Sequence, residues 1–572
     1  MAADKTSEAT AAAPFRPLRP EGHAMWYAHI DAELSRADVA ASILNCVRTA
    51  TAEWLGAPEP KPLLANPIAT DAGDAPASNA IGSSLHLADA GFASSAVLGR
   101  CPQAGIWPPS AAPPTSAGTG SATRGSPRRS TVSSCADPLM PGTRDPSVLC
   151  RLRLTDPRYV MKVTPDRIYS VAMHPAPSRL IALAGDSSGH LGVWVPDAGV
   201  PGSIAPEVAG DPIDADPAAV ADADDREGRT RAASAKDADD DDANEQTRTI
   251  FAPHVSPINY IQIPRGAPHL VVTSSFDGSL RALDLNAGAS WELSTAALER
   301  GYVGLATGGR ASKYVCGFSA FDVTAFDPVD ACDGMTASSP GLVLVAGGYN
   351  GAGFVIDTRA RPDAPPAAAW AAHEGKVTAV SALHRGTAPH VVLTSCSSPT
   401  AACVCLWDVR RLPPPKALAD GSHGSSAAKP LLRVPHRLGV INAFFSPHGT
   451  RAVSACNDDV IRIWDVIDDA SGGITLGTSP DAPRVSIPHN NHTGQWLSQL
   501  RPVFDPANDT SLLIGAMGTQ ALEVWSATTG AKLGALTSSL VTAVPTLNAV
   551  HPSPHVAAAV SGTASGRMYM WR

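Results

Sequence analysis

Residues 451–465 read RAVSACNDDVIRIWD: an apolar run of small and β-branched residues, a polar turn, and an alternating run that closes on Trp464 and Asp465. Such a pattern is typical of two antiparallel strands joined by a tight turn. Six further copies occur, and they are LIALAGDSSGHLGVW (180–194), LVVTSSFDGSLRALD (270–284), LVLVAGGYNGAGFVID (342–357), VVLTSCSSPTAACVCLWD (391–408), LLIGAMGTQALEVWS (512–526) and VAAAVSGTASGRMYMW (556–571). The chain is therefore built from one repeated unit.

The spacing of the copies predicts the architecture. Their closing residues are Trp194, Leu283, Ile356, Trp407, Trp464, Trp525 and Trp571, separated by 46 to 89 residues. These gaps correspond to one unit of about 40–45 residues plus insertions of variable length. One unit cannot bury both faces of its small sheet, so the copies must pack around an axis. We predict an all-β fold, a seven-bladed WD-repeat β-propeller.

Composition divides the chain into an extension and the propeller. We predict that residues 1–146, rich in Ala, Ser, Pro and Gly beyond residue 57, are mostly disordered, and that 147–572 form the propeller. Apolar residues at helical spacing, such as Ile43 and Val47, predict a helix within 24–56, which packs on the propeller or binds a partner. An alternating strand at 149–163 is expected to pair with the last repeat and close the ring.

The charge of the chain is concentrated in one segment. Residues 207–245 hold fourteen acidic and four basic side chains, a local charge of −10 against −9 for the whole chain, which leaves +1 for the remainder. They lie in a predicted disordered insertion, 198–249, which we place between blades 1 and 2. A polyanionic segment of this kind is usually solvated, and the alternatives are competition with nucleic acid for a basic face and binding to histones.

Several function classes have no support in the sequence. No apolar stretch is long enough to span a membrane, and the first residues do not resemble a secretion signal. No phosphate-binding loop, nucleophile elbow or metalloprotease motif is present. The ten cysteines form no CxxC pair, although Cys403 and Cys405 point the same way on one predicted strand. Reduced structural cysteines are favoured over a metal or disulfide framework. We expect no enzyme activity, cofactor, metal or small-molecule substrate.

Five stretches of the chain carry a resemblance to a known family. KVTPDRIYSVAMHP (162–175) and FAPHVSPINYIQIP (251–264) resemble the first two blades of the WD-repeat protein 76 family, whose fungal members are called DNA-damage-binding proteins. PHRLGVINAFFSPHGTRAVSACNDDVIRIWDV (435–466), HNNHTGQWLSQLRPVFDP (489–506) and LNAVHPSPHVAAAVSGTASGRMYMW (547–571) are similar to later blades. The HNNHTG string is the most specific of these, because the propeller fold does not require it between strands.

The resemblance implies binding to single- or double-stranded DNA, with a preference for damaged or modified DNA, in the nucleus. Candidate contacts at blade starts and connecting loops are Lys162, Arg167, His436, Arg437, His489, Asn490, Asn491, His492 and Arg501. Such cations and amides can contact phosphates, and Trp496 can pack against a base or sugar. Structural alternatives exist: His436 in an internal hydrogen-bond relay, Trp496 in the core, and Asn490 with Asn491 stabilising a turn.

The chain also departs from the family it resembles. Ser187 and Ser188 stand where the family usually has a lysine, and Pro488 and Gln495 flank HNNHTG where basic residues are common. Each missing phosphate contact removes about one released counterion, so these departures predict weaker DNA binding or the use of other residues.

A second motif lies at the ends of two neighbouring repeats. The fourth repeat ends in Trp407-Asp408-Val409-Arg410, and the third in Ile356-Asp357-Thr358-Arg359. Propellers that dock on the adaptor of the cullin-4 ubiquitin ligase resemble one another in carrying WDxR at such positions. This resemblance implies an adaptor-binding site at Asp357, Arg359, Trp407, Asp408 and Arg410, because a guanidinium offers planar, bidentate hydrogen bonds. The alternative is a chance occurrence in a loop.

Two hypotheses from different classes follow. The first is a non-enzymatic nuclear propeller that binds DNA on one face and presents bound targets to a cullin-4 ligase. The second is a protein-interaction scaffold that binds histones or chaperones through its acidic segment and rim, without DNA contact.

Overall fold

The computed structural model describes residues 26–27, 37–56, 146–198 and 247–572, except for 265–266, 287, 295–316, 328–340, 363, 386–389, 414–427, 469–472, 478–481 and 495–496. Within these residues the strands form seven small sheets, and adjacent strands in each sheet are antiparallel. The seven-bladed propeller is therefore confirmed. The disorder predicted for 1–146 and 198–249 falls largely on residues outside the described ranges.

The strands of the first four blades follow one another in chain order from the inside outwards. Blade 1 comprises Ile168–Met173, Ala182–Asp186, Leu191–Trp194 and Arg248–Phe251. Blade 2 comprises Ile258–Gln262, Leu270–Ser275, Leu280–Asp284 and Ala289–Ser294, with Trp26–Tyr27 on its outer edge. Blade 3 comprises Phe318–Asp327, Gly341–Gly348, Ala352–Asp357 and Ala368–Ala371. Blade 4 comprises Val377–Ala382, Val391–Cys396, Cys403–Asp408 and Leu432–Pro435.

The last three blades follow the same plan with small variations. Blade 5 comprises Val440–Phe445, Arg451–Cys456, Val460–Asp468 and Val485–Pro488, and Ile474–Leu476 pairs with the far end of its third strand. Blade 6 comprises Val503–Phe504, Ser511–Gly515, Leu522–Ser526 and Lys532–Leu536. Blade 7 comprises Leu547–Val550, Ala559–Gly562, Arg567–Trp571 and, from the other end of the propeller sequence, Val160–Lys162.

The hydrophobic core lies between the blades. Apolar side chains from adjoining sheets form successive clusters, for example Val272 and Leu280 of blade 2 with Phe318 and Leu344 of blade 3. The tryptophans that close the repeats belong to these clusters, and Trp194, Trp464 and Trp571 are almost fully buried. Each large side chain removed from water contributes roughly 1.5–3 kcal/mol to stability. The repeats are thus held together by packing against their neighbours.

The ring closes where expected, but with a shorter strand than the sequence predicts. Val160 pairs with Tyr569, and Lys162 with Arg567, so the first strand of the propeller completes the last blade. Further upstream, Arg153 and Arg572 exchange two backbone hydrogen bonds. The rest of the predicted strand 149–163 is wrong: Pro146–Arg151 is a short helix and Pro157–Tyr159 a 3₁₀ turn. Prolines at the start of both segments favour helical turns over strand.

A helix joins the propeller from the N-terminal side. Ala37–Leu55 is helical, and its buried face includes Ile43, Leu44 and Val47. These residues share a core cluster with side chains of blades 1 and 2. The helix therefore covers apolar surface of the propeller, one of the two roles that its sequence leaves open.

The acidic insertion does not separate blades 1 and 2. Trp194 pairs with Arg248, and Leu191 with Phe251, so the strands before and after the insertion are neighbours in blade 1. Val195 N donates to Thr247 O at 2.9 Å, which brings the two ends of the insertion together. Its predicted place is wrong because the sequence pattern reveals hairpins but not the fourth strand that each blade adds beyond its hairpin.

None of the helices in the described residues is both long and apolar enough to cross a membrane.

Candidate nucleic-acid interface and docking rim

The connections between strands lie at two opposite ends of the propeller. One end, here called the inter-blade end, carries the segments that lead from one blade into the next, including 163–167, 372–376, 436–439, 489–494 and 497–502. It also carries the turns between the second and third strands, as backbone bonds from His254 to Gly189 and from His489 to Asp459 show. The other end, the rim end, carries the remaining connections, whose described parts include 195–198 and 247, 358–362 and 364–367, and 409–413 and 428–431. Apart from Trp496, every functional residue predicted from the sequence can be assigned to one of these ends or to the core.

The nine predicted DNA contacts all lie at the inter-blade end. Lys162, Arg437, Asn490 and His492 are exposed there, and Arg167 and Arg501 are half-buried. Lys162 stands directly across from Arg567 on the neighbouring strand, so two basic side chains lie side by side at the edge of blade 7. The structure thus brings together residues that are up to 339 positions apart, Lys162 and Arg501.

His436 belongs to an internal relay and is not a surface contact. Its Nε2 lies 2.8 Å from Ser454 Oγ, and its Nδ1 lies 3.2 Å from Val434 O. Burial lowers the pKa of His436 to about 4, so the ring is neutral at physiological pH. We therefore correct its predicted role: a neutral imidazole with both nitrogens engaged cannot offer a positive charge to a phosphate.

The HNNHTG string forms a braced turn on the hairpin of blade 5. His489 and Asn491 are buried, and His489 Nδ1 lies 2.8 Å from Asn491 Oδ1. Asn491 also donates its Nδ2 to Cys456 O and its backbone N to Asp459 Oδ1. These two residues are corrected to structural ones. Their bonds leave Asn490 and His492 on the surface, with His492 Nε2 3.3 Å from Asp459 Oδ2. Trp496, the predicted stacking residue, lies outside the described residues.

Three basic residues stand at the mouth of the central channel. Arg167 and Lys376 each come immediately before the first strand of a blade, Ile168–Met173 and Val377–Ala382, and Arg501 lies two residues before Val503. Because the first strands surround the axis, residues at these positions border the channel at the inter-blade end. Arg167 and Arg501 are among the predicted contacts, whereas Lys376 was missed.

Lys376 is half-buried against two aromatic rings. Its Nζ lies 5.2 Å from the ring centre of Phe276 and 5.0 Å from that of Tyr349, and the two rings pack edge to face at 5.5 Å. Burial, with a smaller contribution from the nearby Arg501, lowers the pKa of Lys376 to about 8. The aromatic faces attract the ammonium group, but neither ring carries a compensating charge.

Arg501 is the second poorly compensated cation at this mouth. Burial lowers the pKa of its guanidinium, and the attraction of Tyr260 only partly offsets this effect. Its Nε has no hydrogen-bond partner within the described residues. Among the residues that the structure describes, neither Lys376 nor Arg501 forms an ion pair with a carboxylate. Two like charges in a desolvated setting cost several kcal/mol unless an anion joins them. The mouth is thus suited to an anionic ligand.

The rim end carries two copies of one arginine arrangement. Arg359 donates its Nε and Nη2 to Asp357, at 2.9 and 2.7 Å, and Arg410 donates the same two groups to Asp408, at 3.0 and 2.8 Å. These bonds hold the pKa of both aspartates below their usual range. Both guanidinium groups remain exposed on their outer side. The blade-3 pair, which looks degenerate in sequence, therefore has the geometry of the blade-4 pair.

Trp407 is corrected from a docking residue to a core residue. Only 2% of it is exposed, its Nε1 donates to Thr394 Oγ1 at 2.8 Å, and its ring lies 5.8 Å from that of Trp370. A tryptophan at this position closes the sheet and cannot also contact a partner.

Within the described residues, two groups of side chains have the composition of metal sites. Asp166, Asp186 and His190 lie together at the inter-blade end, but Asp166 is exposed and accepts a hydrogen bond from Ser188. His373, Cys396 and Cys403 are all buried in blade 4. The sequence could not reveal the second group, because its members are spread over three separate elements.

Comparison with known proteins supports both the fold and the resemblance. The model of the WD domain, G-beta repeat, matches residues 429–465. The DNA damage-binding proteins CMR1 of Phaeosphaeria nodorum and Emericella nidulans are 26% and 28% identical to the chain over 420 and 424 residues. WD repeat-containing protein 76 of Xenopus laevis is 24% identical over 418 residues. Each match covers 72% of this chain, and the chain spans 66%, 66% and 54% of these relatives. The resemblance to the WD-repeat protein 76 family is confirmed.

Proposed function

We propose that the chain is a non-enzymatic DNA-binding propeller that acts in the response to DNA damage in the nucleus, with a preference for damaged or modified DNA. The observation that carries this proposal is the channel mouth, where Lys376 and Arg501 are half-buried and have no carboxylate partner among the described residues. A DNA phosphate would supply the missing negative charge. The names of the CMR1 relatives support the same ligand.

The mode of binding follows from the arrangement of the inter-blade end. Exposed Lys162, Arg437 and His492 lie at the same end of the propeller as the mouth and would position the phosphate backbone, which fixes orientation without reading sequence. Phe276 and Tyr349 lie beside Lys376 and offer aromatic surface to an unstacked base. Damaged or mismatched bases leave the stack at lower cost, so a site of this kind would favour damaged DNA.

The test is fluorescence anisotropy of the full chain on undamaged duplex and on the same duplex with one abasic site, at two or more salt concentrations. We expect tighter binding to the damaged duplex and a dissociation constant that rises steeply with salt. A dissociation constant that does not respond to salt, or no binding at all, would contradict the proposal.

We further propose that the rim end docks on the adaptor of a cullin-4 ligase through the Asp357–Arg359 and Asp408–Arg410 pairs. Support comes from their matched geometry on neighbouring blades and their exposed guanidinium faces. The test is a pulldown with the purified adaptor. The adaptor should retain the wild-type chain but not the chain that carries both Arg359→Ala and Arg410→Ala. Arg484→Ala is the matched control, because Arg484 is also an exposed arginine paired with an aspartate, Asp465.

A scaffold that binds histones or chaperones is the second candidate. The observation in its favour is the acidic insertion, whose two ends meet in blade 1 at the rim end. A chain lacking residues 207–245 should then lose histone binding while keeping its DNA affinity. Loss of histone binding together with absent DNA binding in the intact chain would favour the scaffold over the DNA hypothesis.

A further inference from the structure

Blade 4 differs from blade 2 at the histidine relay that links the entering segment to the hairpin. In blade 2, His254 Nε2 lies 2.8 Å from Thr273 Oγ1, and His254 Nδ1 lies 2.9 Å from Asp277 Oδ2. In blade 4, His373 Nε2 lies 2.7 Å from Thr394 Oγ1 in the same way. The partner of His373 Nδ1, however, is the Sγ of Cys403, at 3.4 Å. In strand register Cys403 corresponds to Ser279 of blade 2, whose Oγ lies 3.2 Å from His254 Nδ1, so a thiol takes the place of this hydroxyl.

Two more thiols lie beside this one. Cys396 ends the second strand of blade 4, one residue beyond the pairing of Ser395 with Val404, and therefore faces Cys403. The ligand atoms of His373, Cys396 and Cys403 all lie within 4.8 Å of one another. Cys405 follows on the same face of the third strand, with its Sγ 3.7 Å from that of Cys403. All four residues are buried.

Two of the ligand separations match edges of a zinc tetrahedron. Zinc binds cysteine sulfur at about 2.3 Å and histidine nitrogen at about 2.0–2.1 Å, so tetrahedral ligands stand about 3.8 Å apart for two sulfurs and about 3.6 Å for sulfur and nitrogen. The observed separations are 3.7 Å between Cys403 and Cys405 and 3.4 Å between His373 and Cys403. Soft thiolates with one imidazole are the donors that select zinc.

We propose that His373 Nδ1 and the Sγ atoms of Cys396 and Cys403 bind a structural zinc ion in blade 4. Cys405, which touches Cys403 but lies outside this group of three, would turn its Sγ toward the ion as the fourth ligand. Zinc would restore the link between entering segment and hairpin that Asp277 provides in blade 2. Thr394 Oγ1 accepts from His373 Nε2 in this arrangement, which leaves Nδ1 free to bind and fixes the ring. Three thiolates leave the site with a net charge of −1, and Arg433 lies directly across from Cys405 to offset it.

The first test is the metal content of the full-length chain, purified without a histidine tag and measured by mass spectrometry. We expect about one zinc per chain. Replacing zinc with Co²⁺ should give tetrahedral d–d bands and a sulfur-to-cobalt charge-transfer band. Less than one-tenth zinc per chain, together with no charge-transfer band on addition of Co²⁺, would overturn the proposal.

Variants locate the site. Cys403→Ser and Cys396→Ser should each lose the bound zinc, whereas Cys405→Ser should keep a weaker site whose charge-transfer band is reduced by one thiolate. Cys456→Ser is the matched control: Cys456 ends the second strand of blade 5 as Cys396 ends that of blade 4, is equally buried, and belongs to neither group of three possible metal ligands found in the described residues. Retention of full zinc by Cys403→Ser would contradict the assignment, even if that variant is less stable.

Discussion

The two ends of the propeller use the same residue type in opposite ways. At the rim end, Arg359 and Arg410 are folded onto their own aspartates and each presents a fixed hydrogen-bonding plane, and Arg411 also lies 3.5 Å from Asp408. At the inter-blade end, Arg501 and Lys376 have no acidic partner in the described residues and are desolvated. The difference indicates recognition by geometry at the rim and recognition by charge at the channel mouth.

The largest expected effect concerns the binding of DNA phosphate at the channel mouth. The double substitution Lys376→Gln, Arg501→Gln should weaken DNA binding by about 100-fold, since each hydrogen bond to a charged group contributes roughly 1.5–3 kcal/mol. The slope of log affinity against log salt should fall by about two. Anisotropy titrations at several salt concentrations measure both effects. The rim variant Arg484→Gln, which changes the net charge by one, serves as control and should leave DNA affinity within about twofold.

The docking role of the rim end is tested by removing its two guanidinium groups. Arg359→Ala with Arg410→Ala should reduce affinity for the cullin-4 adaptor by at least about tenfold, because bidentate arginine contacts combine energy and direction. DNA affinity should not change, since both residues lie at the opposite end. Biolayer interferometry with immobilised adaptor would measure the first effect. Unchanged adaptor affinity would contradict the proposed docking of the adaptor at the rim end.

His436 sharpens the distinction within the inter-blade end. His436→Gln should lower the free energy of unfolding by about 1–3 kcal/mol, because it leaves buried relay partners unsatisfied, and should leave the salt slope of DNA binding unchanged. Denaturant titration gives the first quantity. A reduced salt slope with normal stability would restore His436 as a DNA contact.

The same histidine makes a pH prediction. Its folded pKa, about 4, is below its ordinary value of 6.5, so the unfolded state takes up a proton first as pH falls. The contribution of His436 to stability is therefore present above pH 6.5 and is lost between about pH 6.5 and 4. Comparison of the pH dependence of unfolding in the wild type and His436→Gln isolates this contribution, and parallel curves would contradict it.

Lys376 gives the smallest expected effect. Its pKa of about 8 means that it loses its charge as pH rises from 7 to 9. The salt slope of DNA binding should consequently fall by about one over this range, and Lys376→Gln should abolish the change. An identical pH response in Lys376→Gln would assign the effect to another group.

Sequence alone predicts the fold because each repeat shows its hairpin and closing residue. That pattern does not reveal the fourth strand of a blade. The sequence therefore predicts the acidic insertion between blades, whereas the strands before and after it pair within blade 1. Position along the chain was enough to assign Arg501 and Arg410 to opposite ends. It could not show that His489, Asn491 and Trp407 are buried, since burial depends on which neighbouring hairpin each of them meets.

Residues that act together from distant repeats were beyond the reach of the sequence. Lys376 draws its environment from Phe276 and Tyr349, each on a different blade. The thiol cluster similarly needs His373 and Cys396 in addition to the visible alternation of Cys403 and Cys405. In both cases the residues can be grouped only when their positions relative to the strands are known, and the folded ring alone supplies those positions.

Cross-linking of a photoreactive duplex to the full chain, with the attached peptides identified by mass spectrometry, tests the division of labour between the two ends most directly. We predict cross-links in the segments 372–376 and 489–502 at the inter-blade end. Cross-links concentrated around Arg359 and Arg410, with none at the channel mouth, would contradict it.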